Sequence, residues 1–162
     1  MKKKASINLS INMIIVMIIG IVVLGLALGF IRGMFGSLTQ NIDELAANEP
    51  EPDAPSFSEP ITLSSEHKIM ESTDTQVVKA KVYNPTDTPV VNKVINVTCN
   101  TITFASIQVN PKDIPSSQTV EYLLILETDR APAGTYLCEA DITMGASPGV
   151  KYSKDFDIEI RG

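Results

Sequence analysis

The single histidine, His67, is the residue on which acid–base or nucleophilic catalysis would have to be built. A Ser-His-Asp or Cys-His arrangement needs an imidazole that takes the proton from the nucleophile. His67 stands in the polar run SSEHK at positions 64–68, which is typical of an exposed strand edge. We therefore predict a solvated surface histidine, no catalytic residue and no enzymatic activity.

Three carboxylates late in the chain could bind a cation. Asp155, Asp157 and Glu159 alternate along one predicted strand and so share a face. Calcium loops instead take their ligands from a tight bend with glycine. One histidine and two cysteines are also too few ligands for a structural zinc site. A solvated strand face is the predicted role, and we expect neither a metal nor another cofactor.

Two covalent features are predicted. Cys99 and Cys138 both lie in candidate strands of a domain predicted to face outward, where oxidation is permitted. A bridge between them would be worth about 3–4 kcal/mol in the chain-entropy model, and two buried thiols that never meet are the alternative. Asn96 begins an N-x-Thr sequon, which is an acceptor for N-glycosylation in a cell with that machinery.

Charge divides the chain into two parts. There are 13 Lys+Arg against 19 Asp+Glu, a net charge of −6. The first 32 residues carry +4 and no acid, and the remainder carries −10. Because nucleic-acid phosphates require clustered Lys and Arg, this balance argues against a nucleic-acid partner.

A 21-residue stretch without a charge, residues 11–31, predicts a transmembrane helix. Three lysines lie within the leader, residues 1–10, and acids follow the stretch. The positive-inside rule then places the N-terminus in the cytoplasm and the remainder outside the cell. The alternative is a cleaved secretory signal, but the apolar run is too long and residues 31–35 make a poor cleavage site.

The predicted helix continues beyond the membrane through an extension at residues 32–47. An apolar stripe with alternating spacings of four and three follows it, consistent with a heptad pattern. The stripe consists of Leu24, Leu28, Ile31, Phe35, Leu38, Ile42 and Leu45. Gly25, Gly29 and Gly33 form two overlapping GxxxG steps, which favour close helix packing in lipid. We therefore predict one helix from about Ser10 to Ala47 that self-associates, although glycine is also common in membrane helices.

Residues 48–60 are rich in proline and acids and predict an extended, charged spacer, with a loop packed on the following domain as the alternative. From residue 61 to 162 the periodicity changes to two, which indicates β-strands. The candidate strands are Ile61–Met70, Gln76–Asn84, Val90–Cys99, Thr101–Val109, Thr119–Glu127, Thr135–Thr143 and Val150–Ile160. This pattern predicts an all-β ectodomain, an antiparallel sandwich of about seven strands.

Parts of this domain resemble the immunoglobulin-like modules common on prokaryotic cell surfaces. Residues 78–87 (VKAKVYNPTD) are similar to their second strand and following turn. Residues 117–120 (SQTV) and 133–136 (AGTY) are similar to a later turn and strand. The resemblance implies an immunoglobulin-like β-sandwich, although the absence of tryptophan does not support an antibody-type domain.

The whole layout resembles type IV pilin-like proteins, in particular archaeal pilins, archaellins and the archaellum accessory protein with an immunoglobulin-like head. Shared features are a lysine leader, an apolar helix near the N-terminus and a β-sandwich head. In that family a peptidase cuts after a basic residue followed by Gly or Ala, which implies cleavage between Ala5 and Ser6 here. Many pilins have Glu at the fifth mature position, where this chain has Ser10.

Three functional hypotheses follow. The first is a membrane-anchored structural subunit or accessory of a type IV pilus- or archaellum-type filament, which assembles through its N-terminal helix and becomes extracellular if processed. The second is a single-pass surface anchor whose head binds an envelope protein or glycan without forming a filament. The third, an enzymatic or metal-binding ectodomain, has the least support. The expected partners are the membrane, other copies of the chain, and filament or envelope proteins.

Overall fold

The computed structural model describes residues 11–100, 106–145 and 148–162, and within these the side chains outside positions 12, 35–39 and 106–108. The predicted leader cut between Ala5 and Ser6 lies outside the described residues. The chain divides into two compact units, the first reaching Ile42 and the second comprising Asp43–Gly162.

One long helix, α1, spans Ile11–Asn48. Its sequence has no proline, and the first prolines after it are Pro50 and Pro52, which cannot continue a helix. The predicted unbroken helix through the extension is therefore confirmed over the described residues. Its large apolar side chains between Ile11 and Met34 are 45–75% exposed.

A 22-residue part of α1, Met13–Met34, is long and apolar enough to cross a membrane. The predicted span was residues 11–31, which this part largely overlaps. At 1.5 Å rise per residue, 22 residues extend about 33 Å, close to the thickness of a bilayer hydrocarbon core.

The β domain has ten strands among the described residues. They are β1 (Ile61–Leu63), β2 (His67–Glu71), β3 (Thr75–Tyr83), β4 (Val90–Lys93), β5 (Asn96–Cys99), β6 (Ser106–Gln108), β7 (Lys112–Ile114), β8 (Thr119–Glu127), β9 (Gly134–Met144) and β10 (Val150–Arg161). Sheet A has the order β1-β3-β8-β6, sheet B has the order β2-β10-β9-β5, and sheet C pairs β4 with β7.

Two predicted strands are each divided because the chain moves from one sheet to another. The predicted strand Ile61–Met70 becomes β1 in sheet A and β2 in sheet B. The predicted strand Val90–Cys99 becomes β4 in sheet C and β5 in sheet B, and a left-handed Asn92 (φ 54°) lies at a register irregularity within β4. A third difference is β7, which lies between two candidate strands where no strand was predicted. Residues 101–105 of another predicted strand lie outside the described residues.

The expectation of a wholly antiparallel arrangement is wrong for one pair. β2 and β10 run parallel, with Asp157 opposite His67 and Arg161 opposite Glu71. Parallel neighbours need a long crossover connection, and here the rest of the β domain between residues 72 and 149 supplies it. The other strand pairs are antiparallel.

All three sheets contribute to one hydrophobic core. Its completely buried members include Val78, Tyr122 and Leu124 from sheet A, Ile142 and Ile158 from sheet B, and Ile114 from sheet C. Along β10 the predicted alternation is confirmed, because Phe156, Ile158 and Ile160 are buried while the residues between them are not. The core thus leaves one face of sheet B directed to solvent, where its charged residues lie.

Candidate functional site

The apolar stripe of α1 is the first candidate site. Leu24, Leu28 and Ile31 are 61%, 58% and 47% exposed. Residues spaced by three and four lie on one face of a helix. The side chains of Phe35 and Leu38 lie outside the described ones. Ile42 and Leu45, further along the same helix, are half-buried.

The glycines of the predicted packing steps, Gly25, Gly29 and Gly33, lie on the same helix. A Cβ atom built on Gly25 or Gly29 would meet no heavy atom within 4 Å. These two glycines are therefore not required for packing within the described chain. Close approach of a second helix is the role that would require them.

The segment after α1 packs on the β domain, unlike the predicted spacer. Glu49 is 8% exposed at its side chain and pairs with Lys68, with 2.5 Å between Nζ and Oε2. The Ser64 hydroxyl donates to the other carboxylate oxygen of Glu49 at 2.7 Å. Further along, the Thr62 hydroxyl donates to the Asp53 carbonyl at 2.7 Å.

A second set of ion pairs holds the same segment to β3. Glu51 accepts from Lys79 Nζ at 2.8 Å and from Lys81 Nζ at 3.0 Å. Lys79 lowers the pKa of Glu51 below its ordinary value, with Lys81 adding to the effect. Glu51 raises the pKa of Lys79 in turn. Five residues, Glu49, Glu51, Lys68, Lys79 and Lys81, thus form the ion pairs between this segment and the β domain.

The outer face of sheet B carries the residues first considered for catalysis and metal binding. His67 is half exposed, its Nδ1 contacts Asp157 Oδ2, and its Nε2 lies 3.7 Å from Glu159 Oε2. Arg161 lowers the pKa of Glu159 through a hydrogen bond of 2.8 Å. The described residues contain no group of three or more His, Cys, Asp or Glu side chains that could hold a metal ion. The arrangement on this face is a surface salt-bridge network.

The same face has two acids directly opposite each other. Glu139 on β9 is the register partner of Asp155 on β10. Lys151 donates to Glu139 at 3.0 Å and lowers its pKa, whereas Asp155 is exposed and has no cation within ion-pair distance in the described part of the chain. Leu137, 59% exposed, lies on this face two residues before Glu139.

The predicted disulfide is present. Cys99 and Cys138 are bonded, with Cα atoms 4.0 Å apart, and are register partners of β5 and β9. The bond therefore fastens a four-residue edge strand to the centre of sheet B. A shallow depression of about 330 Å³ lies over it, lined by Thr98, Cys99, Asn100, Leu137, Cys138, Glu139 and Asp155.

The sequon asparagine, Asn96, is exposed on β5 opposite Asp141, and Thr98 of the sequon is also exposed. The Asn96 amide lies 3.5 Å from Asp141 Oδ2. The asparagine side chain is thus accessible on the outer face of sheet B, and its glycosylation stays a prediction.

One charged surface was missed by sequence reasoning. Lys93 of β4 and Lys112 of β7 are register partners, so that two cations face each other across sheet C. Exposed Val91 and Val94 flank Lys93, with 65% and 37% exposure. No sequence signal identifies this pair, because 19 positions separate the two lysines and no strand was predicted at β7.

Comparison with known proteins gives structural likenesses only. No family model and no curated protein sequence matches the chain. A FixG-related protein from Vibrio parahaemolyticus is 11% identical with a TM-score of 0.44, and 56% of this chain and 82% of that chain are covered. The ASH/PapD-like domain 7 of human CEP192 is 13% identical, with coverage of 69% and 91% and a TM-score of 0.38. The E. coli chaperone DraB is 14% identical, with coverage of 62% and 54% and a TM-score of 0.38.

Proposed function

We propose that this chain is a membrane-anchored structural protein of the cell surface, a pilin-like subunit or accessory of a type IV pilus- or archaellum-type filament. In this proposal α1 anchors the chain in the membrane and packs against α1 of other copies. The β domain is the head, in which sheets A and B face each other as an immunoglobulin-like sandwich.

The observation that carries this proposal is the length of α1 relative to its apolar span. The candidate span ends at Met34, but the helix continues unbroken to Asn48. A single anchor needs no more than the span. The apolar stripe follows the helix past the span to Ile42 and Leu45, and an apolar seam on an otherwise polar helix in water calls for a lateral partner.

Charge supports the proposed orientation. Three lysines precede the span, and all 19 acids lie at Asp43 or later. Positively charged flanks remain in the cytoplasm, so the acidic β domain would lie outside the cell, where the disulfide is stable. The net charge of −10 after residue 32 would also keep heads soluble.

The second candidate is a plain surface anchor whose head binds an envelope protein or glycan. The observation that favours it is Leu137, an apolar side chain 59% exposed beside the depression over the disulfide. A depression with an exposed apolar wall offers contact area to a ligand. This function requires no processing and no association of helices.

Intact-mass measurement of the protein from native membranes, together with electron microscopy of surface filaments, tests the proposal. A pilin-like subunit is expected to begin at Ser6 and to occur in filaments or to copurify with them. A chain that retains Met1 and is monomeric in the membrane would overturn the pilin-like proposal and favour the plain anchor. The matched control is the same chain with Lys4→Ala. This variant lacks the basic residue before the proposed cut and should therefore retain its leader.

A further inference from the structure

A small basic and apolar surface on sheet C is the starting point. We call it the lysine patch and define it by Val91, Lys93, Val94 and Lys112. Lys112 is exposed and Lys93 is half-buried. The left-handed Asn92 makes an irregularity in β4, and such irregularities re-aim the side chains beside them. The patch therefore combines two opposed cations with two exposed valines of the same segment.

The lysines of this patch differ from the others in the β domain. Lys68, Lys79, Lys81, Lys151 and Lys154 each pair with a carboxylate. Within the described part of the chain, neither lysine of the patch has a carboxylate within ion-pair distance. Like charges directly opposite each other across two strands are destabilising. The repulsion between Lys93 and Lys112 thus destabilises the single chain, and an acidic partner surface would remove this repulsion.

The nearby polar groups of the patch have other partners. Lys112 Nζ donates to the Glu121 carbonyl at 2.5 Å and lies 5.8 Å from the centroid of the Tyr122 ring. Asp113, the one acid adjacent in β7, accepts a hydrogen bond from the Asn92 backbone N–H at 2.8 Å. The patch keeps a net positive charge with this acid counted.

A complementary surface exists on sheet B of the same chain. We call it the acidic patch and define it by Leu137, Glu139 and Asp155. It has two opposed acids and one exposed apolar side chain, and with Lys151, which pairs with Glu139, counted it keeps a net negative charge. The acidic patch also lines the depression of about 330 Å³ over the disulfide and is therefore concave. The lysine patch, by contrast, has exposed valines, which suit a concave partner surface.

We propose that the lysine patch of one copy docks on the acidic patch of a second copy. The two patches share no residue and lie on different sheets, so one head can engage two neighbours. Such a head-to-tail contact forms a ring or an open helical array. The inference rests on the proposed function and deepens it, because it names the contact between heads of associated subunits.

Charge reversal of one residue in each patch tests this docking. Lys93→Glu and Asp155→Lys are suitable because neither side chain has an ion-pair partner in the described chain, and each reversal removes a like-charge opposition. Both variants should therefore unfold at the same temperature as the wild type or higher. Association should fall, since each variant places like charges at the contact.

The reporter is a carbodiimide cross-link between Lys112 and Glu139, measured by mass spectrometry on full-length protein in membranes. Mixing ¹⁴N- and ¹⁵N-labelled copies identifies cross-links between chains. We expect each variant alone to reduce this cross-link about tenfold, and an equimolar mixture of the two variants to restore it. Arg130→Glu, an exposed charge reversal outside both patches, is the matched control and should leave the cross-link unchanged.

The two proposals fail in distinguishable ways. A disulfide between copies carrying Leu28→Cys reports association of the helices in the same membranes. If that disulfide forms but the cross-link is absent from the wild type, or the mixture does not restore it, the docking of heads is wrong and the proposed function stands. If the helix disulfide is absent while the variants and their mixture behave as expected, docking is correct and the pilin-like function is wrong.

Discussion

Loss of the Glu49 carboxylate should strongly destabilise the β domain. Glu49 and Lys68 have side chains 8% and 15% exposed, so their ion pair is largely withdrawn from water. Removing one member of a buried pair leaves the other charge uncompensated, which costs about 3–5 kcal/mol. Glu49→Gln keeps an acceptor for the Ser64 hydroxyl, so the lower value, about 3 kcal/mol, is expected.

The assay is urea unfolding of the full chain in detergent micelles, followed by near-UV circular dichroism. Tyr122 is completely buried and supplies a signal from the core. With a urea dependence of about 1.5 kcal/mol per molar, the midpoint should fall by about 2 M. The matched control is Glu59→Gln, because Glu59 is 54% exposed and its partner Lys154 keeps Glu66 at 2.7 Å.

The control should lose less than about 1 kcal/mol, as exposed ion pairs do. A double variant, Glu49→Gln with Lys68→Met, should recover most of the stability by removing the buried charge. Equal effects of Glu49→Gln and Glu59→Gln would show that the Glu49–Lys68 pair does not hold this segment to the β domain. The segment after α1 would then be a free spacer, as the sequence predicts, and not part of the β domain.

Three further outcomes are expected. Gly29→Leu should weaken association of full-length chains in membranes, whereas Gly20→Leu should not. Both sites are open in the single chain, but only Gly29 lies in a GxxxG step. Cross-linking yields of the two variants measure this difference. Replacing Cys99 and Cys138 by serine should destabilise the β domain by up to about 4 kcal/mol in urea unfolding, since the bridge closes a 39-residue separation. Burial, with a contribution from Asp113, raises the pKa of Tyr122 to about 12. Because its neutral form is favoured in the folded state, stability should fall as pH rises from about 10 to about 12, and Tyr122→Phe should remove that part of the fall in alkaline unfolding curves.

Local patterns account for what the sequence could predict. The helix could be predicted because its signals are local in sequence. They are the apolar composition, the heptad stripe and the prolines after Asn48. The strands β8, β9 and β10 were readable to within one residue because their alternation is regular and unbroken. The disulfide was also predicted, from its outward location and from two cysteines in candidate strands.

The structure differs from the sequence-based predictions where the partner of a strand or side chain lies far away in the sequence. Alternation through residues 61–70 does not reveal that the chain leaves sheet A for sheet B, because hydrogen-bond partners are set by the whole fold. Acids in residues 48–60 indicated solvent exposure, but the Glu49 side chain is only 8% exposed because it pairs with Lys68 on β2. The opposition of Lys93 and Lys112 likewise depends on pairing that no local pattern encodes.

Cysteine cross-linking of α1 in native membranes tests self-association through the apolar stripe most directly. Leu28 lies on the stripe and is 58% exposed, whereas Leu26 is 70% exposed and lies about 200° around the helix from Leu28. The native cysteines are already bonded to each other, so they do not interfere. Self-association through the stripe predicts a disulfide-linked dimer from Leu28→Cys and little or none from Leu26→Cys. Equal yields from the two variants, or no dimer from Leu28→Cys, would mean that the helices do not associate through the stripe.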